Sequence, residues 1–437
     1  MILARPTLNT TKTFCSNWWQ NTFLKDTQNF NKTCVFKNCI NPTDINDLRI
    51  EVSNTINTIC ELKTEEYGFR VWLDGEQTSL EKNQYVFESQ IKNNESIEDW
   101  SNRVFKNKKF GIILNAAEVL NPKLAQKIAS FMIPLFKTNG TPLRGYNITL
   151  FIGNYGFTPL GIHKDPPGES VIHFHLGPSK KTIYQWDNDK LDQEISEKNL
   201  SLKENVKELL PSAIPYTFNE GDLYFMPSKN YHIGETDELS IGIALWSNKN
   251  FKEELSKELL QCIQEKYISD SKNNSLNKFN TLESVSDMSL LFDLPENQDK
   301  LTFKDLCQES YKNYRYSLMS NCSFLKTPLL RGRKKTSFNE NDYFINETPF
   351  KIEFYSSGLN KEKLIVFIRG HKIVLKNNTQ FIQILDYINM RETIKVQTIL
   401  NFINSEVTKE QIMSLLSTLE YYYGIKKNNP LCCLNEK

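Results

Sequence analysis

The stretch that decides the fold begins GIHKDPPGES at residues 161–170 and ends GDLYFMPSKNYHIG at residues 221–234. His163 and Asp165 lie two positions apart in its first part. On a β-strand, residues at this spacing point to the same side of the sheet. An imidazole and a carboxylate would then be directed at one point, which is a pattern typical of a metal site. The same stretch holds four of the five histidines of the chain, namely His163, His173, His175 and His232.

His232 is the candidate for a third ligand, 69 positions after His163. That gap is about what several intervening strands of a small β-barrel require. Two histidines and one carboxylate form the facial triad that leaves adjacent positions open on a non-haem Fe(II). The same ligands suit other divalent ions, so residue types alone leave the identity of the metal open.

Short apolar segments bounded by Gly, Asp and Pro surround this motif, which is the pattern of β-strands. Three of them lie between His163 and His232, and a further one follows His232 as a candidate core strand. The predicted strands are residues 148–152, 171–176, 181–186, 223–226 and 240–246.

The order of these features resembles the JmjC-type, cupin-like branch of the Fe(II)/2-oxoglutarate-dependent oxygenases. The resemblance covers about residues 145–250 and consists of H-x-D, a lysine after an apolar strand, and G-D-x-x-x-x-P followed by a histidine. It implies an α+β fold, with a double-stranded β-helix (jelly-roll) core and an α/β N-terminal region packed around it. It also implies that His163, Asp165 and His232 bind Fe(II), with 2-oxoglutarate and O2 as cosubstrates.

In this family a lysine pairs with the far carboxylate of 2-oxoglutarate, and the resemblance points to Lys180 or Lys181. A buried ammonium suits that role because the charge of its partner compensates for its desolvation. Counting along the predicted strand favours Lys181, but a short insertion before the strand leaves the register open between the two. Thr158 and Tyr184 are candidate hydroxyl partners of the same carboxylate.

His173 and His175 support a rival interpretation. An H-x-H before a strand also resembles a cupin metal motif, in which these two residues and His232 would bind the metal of an enzyme that does not use 2-oxoglutarate. The acidic ligand expected soon after such a motif is absent from residues 176–181. Because apolar residues alternate with the two histidines, we expect the pair to line a substrate cleft or to face the neighbouring sheet.

Composition sets the outer limits of the interpretation. The 437 residues suffice for two or three domains. The chain has 53 Lys and Arg against 52 Asp and Glu, so its net charge gives no electrostatic attraction to nucleic acid or to a membrane surface. Nine cysteines without C-x-x-C predict free thiols in a reducing compartment. No apolar run reaches the ~18 residues of a membrane span. We therefore expect a soluble cytoplasmic protein.

The regions that flank the barrel are expected to be large. Predicted strands followed by three short helices near the C-terminus, the last with a capping box at Thr408 and Gln411, favour a winged-helix-like module. In pattern it resembles the C-terminal winged helix of the ribosomal-oxygenase branch of the JmjC enzymes. The predicted domains are residues 1–140 (N-terminal α/β region), 141–250 (barrel), 251–340 (helical linker region, with 268–300 as a loose segment) and 341–437 (winged-helix-like domain).

The resemblance implies a dioxygenase that hydroxylates a C–H of a protein or peptide side chain while 2-oxoglutarate is decarboxylated to succinate. The large flanking regions favour such a target over a small metabolite, with a ribosomal protein and a precursor peptide both open. The basic cluster at residues 331–335 could contact RNA or a peptide leader, but we expect a solvated loop. We do not expect the protein to bind nucleic acid, and the C-terminal module is the region that leaves such binding open. The apolar stripe of the last helix indicates a core or homodimer contact. The remaining alternative is a non-catalytic peptide- or RNA-binding protein on the same scaffold, which failure to bind metal would favour.

Overall fold

The computed structural model describes residues 13–106, 108–166, 168–247, 252–267, 302–403 and 406–428. The chain divides into two units, the first of residues 1–249 and 323–329 and the second of residues 250–322 and 330–437. The predicted loose segment at 268–300 lies outside the described residues. Within the described ranges, no helix combines the length and the apolar character needed to cross a bilayer.

The first unit contains twelve described strands and eight described α-helices. The strands are β1 (Cys34–Phe36), β2 (Arg70–Leu73), β3 (Glu76–Gln77), β4 (Phe110–Leu114), β5 (Tyr146–Gly153), β6 (Gly156–Phe157), β7 (Ser170–Pro178), β8 (Lys181–Gln185), β9 (Ile214–Phe218), β10 (Leu223–Met226), β11 (His232–Thr236) and β12 (Ser240–Ser247). The helices are α1 (Ser16–Trp18, continued as a π-helix over Trp19–Leu24), α2 (Pro42–Leu62), α3 (Gln84–Phe87), α4 (Ile97–Phe105), α5 (Ala117–Leu120), α6 (Pro122–Asn139), α7 (Asn188–Lys198) and α8 (Val206–Leu209). Short 3₁₀ turns occur at Glu66–Gly68 and Leu210–Ser212.

These strands form two antiparallel sheets. The larger has the order β1-β10-β7-β12-β5-β4-β2-β3, and the smaller has the order β6-β11-β8-β9. From β5 to β12, consecutive strands alternate between the sheets, except that β8 and β9 follow each other in the smaller one. As a result β5, β12, β7 and β10 are neighbours in one sheet and β6, β11, β8 and β9 in the other. This is the strand order of a double-stranded β-helix, and the N-terminal strands extend its larger sheet at both edges.

Strand periodicity decides which side chains face the interior of this β-helix. Along β5, Ile148, Leu150 and Ile152 are fully buried on one side, while Asn147, Thr149 and Phe151 line a cavity on the other. The same alternation along β7 sends Phe174 to the outer side, where its ring contacts Phe14 and Phe131. The predicted barrel thus has an apolar outer layer and a polar interior.

The outer layer is built by the N-terminal helices. Helix α2 begins at the cap Asn41, whose side chain accepts a hydrogen bond from the backbone N–H of Asp44, and Asn121 caps α6 in the same way. Arg49 on α2 donates two hydrogen bonds to the carbonyl of Leu176 on β7. The N-terminal region therefore covers the barrel sheet directly, as an α/β layer.

The second unit contains five described α-helices and six described strands. The helices are α9 (Lys252–Tyr267), α10 (Phe303–Ser320), α11 (Thr379–Met390), α12 (Val396–Leu400) and α13 (Lys409–Tyr421), and the strands are β13 (Tyr343–Asn346), β14 (Glu353–Ser356), β15 (Lys363–Ile368), β16 (His371–Lys376), β17 (Thr393–Lys395) and β18 (Ile425–Asn428). The strands form two three-stranded antiparallel sheets, β17-β13-β18 and β14-β15-β16.

One apolar core joins the strands and helices between Phe338 and Ile425. The stripe of α13, which includes Ile412, Leu416 and Leu419, is fully buried in it with Val366 of β15. The predicted capping box of α13 is present at Thr408. Of the two predicted roles for the stripe, core packing is the one that these contacts support. In the basic cluster, Arg333 bonds the carbonyls and carboxylate of the α13 end, so it is not a solvated side chain.

Candidate active site

His163 and His232 are brought together by the backbone. Each donates its N–H to the carbonyl of the other, at 3.1 Å from His163 and 2.9 Å from His232. This single bridge joins the loop before β7 to the first residue of β11. Two residues far apart in the chain thereby occupy facing positions, with ring centroids 4.4 Å apart.

Asp165 completes the cluster. Its carboxylate oxygens lie 3.9 Å from Nε2 of His163 and 3.8 Å from Nε2 of His232. Among the described residues, this is the group of three side chains whose ligand atoms all lie within 4.8 Å of one another. The three residues predicted as metal ligands therefore converge on one point.

Hydrogen bonds at the far side of each ring set the tautomer. His163 Nδ1 lies 2.9 Å from the carbonyl of Gly161, and His232 Nδ1 lies 3.3 Å from the carbonyl of Asn230. A carbonyl only accepts, so each Nδ1 carries a proton, and in the neutral form of each ring Nε2 presents its lone pair towards Asp165. This is the arrangement in which histidine binds a metal, with a backbone carbonyl orienting the ring.

Because this cluster is buried, its charged and unpaired polar groups are energetically unfavourable when no cation is bound. It lowers the pKa of His232 to about 3, with the neighbouring His163 acting in the same direction, so the His232 ring stays neutral. It raises the pKa of Asp165 to about 7, with Glu169 adding to the effect. Oδ2 of Asp165 is buried and has no hydrogen-bond partner among the described residues. A divalent cation would satisfy this oxygen and the two free lone pairs together, so the residues fit a metal.

The cluster lines a cavity of about 610 Å³ between the two sheets, and Lys181 and Thr158 line it too. Lys181 is 4% exposed, and its Nζ lies 4.9 Å from the ring centroid of Phe151. Gly234 leaves room for both, since a Cβ there would lie 2.8 Å from Thr158 Oγ1 and 3.4 Å from Lys181 Cε. The Thr158 hydroxyl already donates to the Gly234 carbonyl at 3.0 Å, so it would have to turn to donate to a ligand.

The other two predicted cosubstrate residues are not brought to the cavity. Lys180 is exposed and precedes β8, whose first residue is Lys181. Tyr184 is three positions after Lys181 and therefore on the opposite side of the strand, where its hydroxyl donates to Glu235 at 2.8 Å. Burial, together with the hydrogen bond to Glu235 and the charge of that carboxylate, raises the pKa of Tyr184 to about 12. Of the two predicted lysines, Lys181 is the one that lines the cavity, and it remains the candidate anchor.

His173 and His175 share the inner side of β7 but stand apart from the metal cluster. His175 is buried and its Nε2 donates to the carbonyl of Ser179 at 2.7 Å. His173 lines the cavity, and its ring packs against Phe218 and fills the space that a side chain at Gly242 would occupy. Burial and the positive charge of Lys181 lower the pKa of His173 well below its usual value. The described residues thus contain no cluster in which the H-x-H pair and His232 could share a metal.

The cavity also contains polar residues that the sequence did not single out. Arg70 on β2, Asn147 on β5 and Trp246 on β12 each present to it a buried polar atom without a partner among the described residues. Asn115 lines the same region and accepts a hydrogen bond from Thr149. A polar side chain at an inward position of an otherwise apolar strand is the signal that could have found Asn147.

Fold and site together define a class: a double-stranded β-helix with a cluster of two histidines and one carboxylate inside it. No protein-family model and no curated protein sequence matches the chain. Among solved structures, the chain is similar to YcfD, described as a ribosomal oxygenase from Escherichia coli. In its complex with cobalt and 2-oxoglutarate, YcfD is 12% identical at a TM-score of 0.45, over 93% of this chain and 98% of that chain.

The YcfD complex with cobalt and succinic acid gives the same identity, coverage and TM-score. A second similar structure is SnoK, described as a non-heme alpha-ketoglutarate-dependent carbocyclase from nogalamycin biosynthesis. It is 13% identical at a TM-score of 0.29, over 58% of this chain and 94% of that chain.

Proposed function

We propose that the chain is an Fe(II)/2-oxoglutarate-dependent oxygenase that hydroxylates a C–H bond of a protein or peptide side chain. The observation that carries the proposal is the convergence of His163, Asp165 and His232 in a cavity that also holds the buried ammonium of Lys181. Two imidazoles and one carboxylate match the facial triad of non-haem iron enzymes. When bound, Fe(II) with 2-oxoglutarate supplies the oxidising chemistry, in which O2 is consumed and 2-oxoglutarate becomes succinate.

Each residue then has a defined task. His163 and His232 present Nε2, and Asp165 presents the oxygen that has no other partner. Lys181 would neutralise the far carboxylate of 2-oxoglutarate in a site that water reaches poorly, where a charge pair is strong. Gly234 keeps the approach to Lys181 open. These residues bind and orient the cosubstrate.

The proposal extends to the target and to the second unit. A 610 Å³ cavity is larger than the metal and 2-oxoglutarate require, which leaves room for an entering side chain. We assign residues 341–437 to a winged-helix-like module that recognises the protein substrate, and residues 1–140 to the layer around the barrel. A ribosomal protein and a precursor peptide are the targets to test first.

The test is succinate release from 2-oxoglutarate by the purified, Fe(II)-loaded full chain, compared with His163→Ala and Asp165→Ala. We expect both variants to lose turnover. His371→Ala is the matched control, since it removes the histidine of the second unit and should keep wild-type turnover. Turnover retained by Asp165→Ala but lost in His173→Ala would overturn the proposal in favour of the H-x-H metal site. A chain that binds no divalent metal would favour the non-catalytic alternative.

A further inference from the structure

A chain of hydrogen bonds between three buried side chains leads to the metal cluster, and the proposed function gives it no task. Oγ1 of Thr33 donates to Oε1 of Gln185 at 2.8 Å, and Nε2 of Gln185 donates to the hydroxyl oxygen of Tyr224 at 2.9 Å. All three side chains are buried. Thr33 precedes β1, Gln185 ends β8 and Tyr224 lies on β10, so these bonds join segments that are far apart in the sequence.

The direction of these bonds leaves one proton unused. Because the Thr33 hydroxyl donates to the oxygen of the Gln185 amide, that amide turns its N–H to Tyr224, whose oxygen accepts. The Tyr224 hydroxyl can still donate, and among the described residues it has no acceptor. Burial raises the pKa of Tyr224 well above its usual value, so the proton stays in place. A buried donor of this kind indicates that a bound molecule supplies the acceptor.

The Tyr224 hydroxyl lies at the end of the cavity where the metal cluster is. Tyr224 lines the cavity, and its partner Gln185 is paired with the ligand His232 across β8 and β11. Lys181 occupies the other end of β8. The charge of Asp165 is one of the causes of the raised pKa of Tyr224, so the hydroxyl is within electrostatic range of that carboxylate.

The ring of Tyr224 is fixed between the two sheets. It stacks on Phe218 of β9 with centroids 5.0 Å apart, and Tyr224 is paired with His173 of β7 in the larger sheet. His173 in turn lies beside Lys181, whose charge acts on it. A cosubstrate that extends from the metal to Lys181 would therefore pass Tyr224 and His173, with the Tyr224 hydroxyl at its metal-bound end.

The chemistry of that end suits a neutral donor. 2-Oxoglutarate would chelate the metal through its keto group and the adjacent carboxylate, and this carboxylate keeps one oxygen that is not bound to the metal. A hydroxyl that donates to a carboxylate forms one of the stronger kinds of hydrogen bond. Because its high pKa keeps Tyr224 protonated, the residue can donate without competing with Asp165 and the two histidines for the metal.

We propose that Tyr224 donates a hydrogen bond to the metal-bound carboxylate of 2-oxoglutarate, and that Thr33 and Gln185 set the direction of its proton. Tyr224 is then a cosubstrate-binding residue, and the other two are positioning residues that act through it. The inference rests on the proposed function and adds a neutral contact at the end of the cosubstrate opposite Lys181. It also connects the N-terminal region with the cosubstrate, through Thr33.

The test measures how tightly the Fe(II)-loaded full chain binds 2-oxoglutarate without oxygen, by calorimetry, and records the visible charge-transfer absorption of the complex. We expect Tyr224→Phe to raise the Kd about tenfold or more and to shift the absorption band, because the lost hydrogen bond acts on the coordinated group. Thr33→Val should give a smaller effect of the same sign, since the Gln185 amide is then free to turn. Tyr216→Phe is the matched control, because it removes a half-buried hydroxyl of β9 outside the cavity and should leave the Kd at the wild-type value.

The possible failures are distinct. A Kd and an absorption band that stay at the wild-type values in Tyr224→Phe would overturn the proposal, since the Gln185 amide would then face the other way and hold the tyrosine proton itself. An equal loss of affinity in Tyr216→Phe would also overturn it. Thr33 lies outside the cavity, so Thr33→Val decides the question if Tyr224→Phe does not fold, and an unchanged Kd in that variant would be the contrary result. A wild-type chain that binds no Fe(II) or no 2-oxoglutarate would refute the proposed function and this inference together, whereas wild-type binding with unaffected variants would refute the inference alone.

Discussion

Replacement of Lys181 by methionine removes the ammonium and keeps most of the apolar stem. The side chain is 4% exposed, and its Nζ is held over the rings of Phe151 and Tyr155, at 4.9 and 5.8 Å from their centroids. It forms no ion pair within the described part of the chain. The proposed carboxylate of 2-oxoglutarate would therefore be its single partner of opposite charge.

The expected effect follows from that isolation. Truncating one partner of a buried, hydrogen-bonded charge pair costs about 2–5 kcal/mol of binding free energy. Each 1.4 kcal/mol is a factor of ten, so the Kd for 2-oxoglutarate should rise by about 30-fold to several thousand-fold. Without 2-oxoglutarate, the same change removes an uncompensated buried charge, so the free energy of unfolding should rise by on the order of 1 kcal/mol.

The assay is isothermal titration calorimetry of 2-oxoglutarate into the Fe(II)-loaded chain without oxygen, beside urea unfolding of the unliganded variants. Lys180→Met is the matched control, because it is adjacent in sequence but exposed and outside the cavity. The control should bind 2-oxoglutarate as the wild type does. Lys181→Met that binds within about threefold of the wild type, or an equal loss in Lys180→Met, would refute the assignment.

Three further predictions concern stability. Burial lowers the pKa of His175 to about 4. The stability that the neutral ring provides above pH ~6.5 is therefore lost as the pH falls towards 4, by at most ~1.4 kcal/mol per pH unit. His175→Gln should flatten the dependence of the free energy of urea unfolding on pH, and an unchanged slope would contradict this. Gly242→Ala places a Cβ in the space of the His173 ring and should lower the free energy of unfolding by about 1–3 kcal/mol. Adding His173→Ala to the same chain should recover most of that loss. Additive losses in the double-mutant cycle would be the contrary result. Tyr184→Phe removes the hydrogen bond to Glu235 and should lower the free energy of unfolding by about 1 kcal/mol. Calorimetry should show an unchanged affinity for 2-oxoglutarate. A weakened affinity would instead place Tyr184 in the cosubstrate site.

Local patterns predicted much of the barrel. The strand predicted at 171–176 is Ser170–Pro178, and the one at 240–246 is Ser240–Ser247. Apolar runs bounded by Gly, Pro and Asp strongly favour strands. Their side chains alternate between the two sides of the sheet, and the flanking residues end the hydrogen-bond ladder. The spacing of His163 and Asp165 was a local signal too, although the two residues lie in the loop before β7 and not on the strand that the argument from a spacing of two assumed.

The remaining parts of the site depend on which strands become neighbours. Arg70 reaches the cavity because β2 pairs with β4, and β4 with β5, which places three segments that are distant in sequence side by side. No local pattern specifies that order. Tyr184 is a different case, because an odd spacing from Lys181 on one strand already places the two side chains on opposite sides.

The larger sheet ends in very short strands at both edges, β1 with three residues and β3 with two. On one side β1 covers Leu223–Met226, an apolar strand whose four residues are all buried. A chain shortened to begin at Pro42 would leave that strand as an exposed edge, to which strands of other chains can pair. Residues 34–36 therefore protect this edge together with Phe23, whose ring contacts Phe225. The aggregation of a chain trimmed at Pro42 would measure the combined effect of losing both.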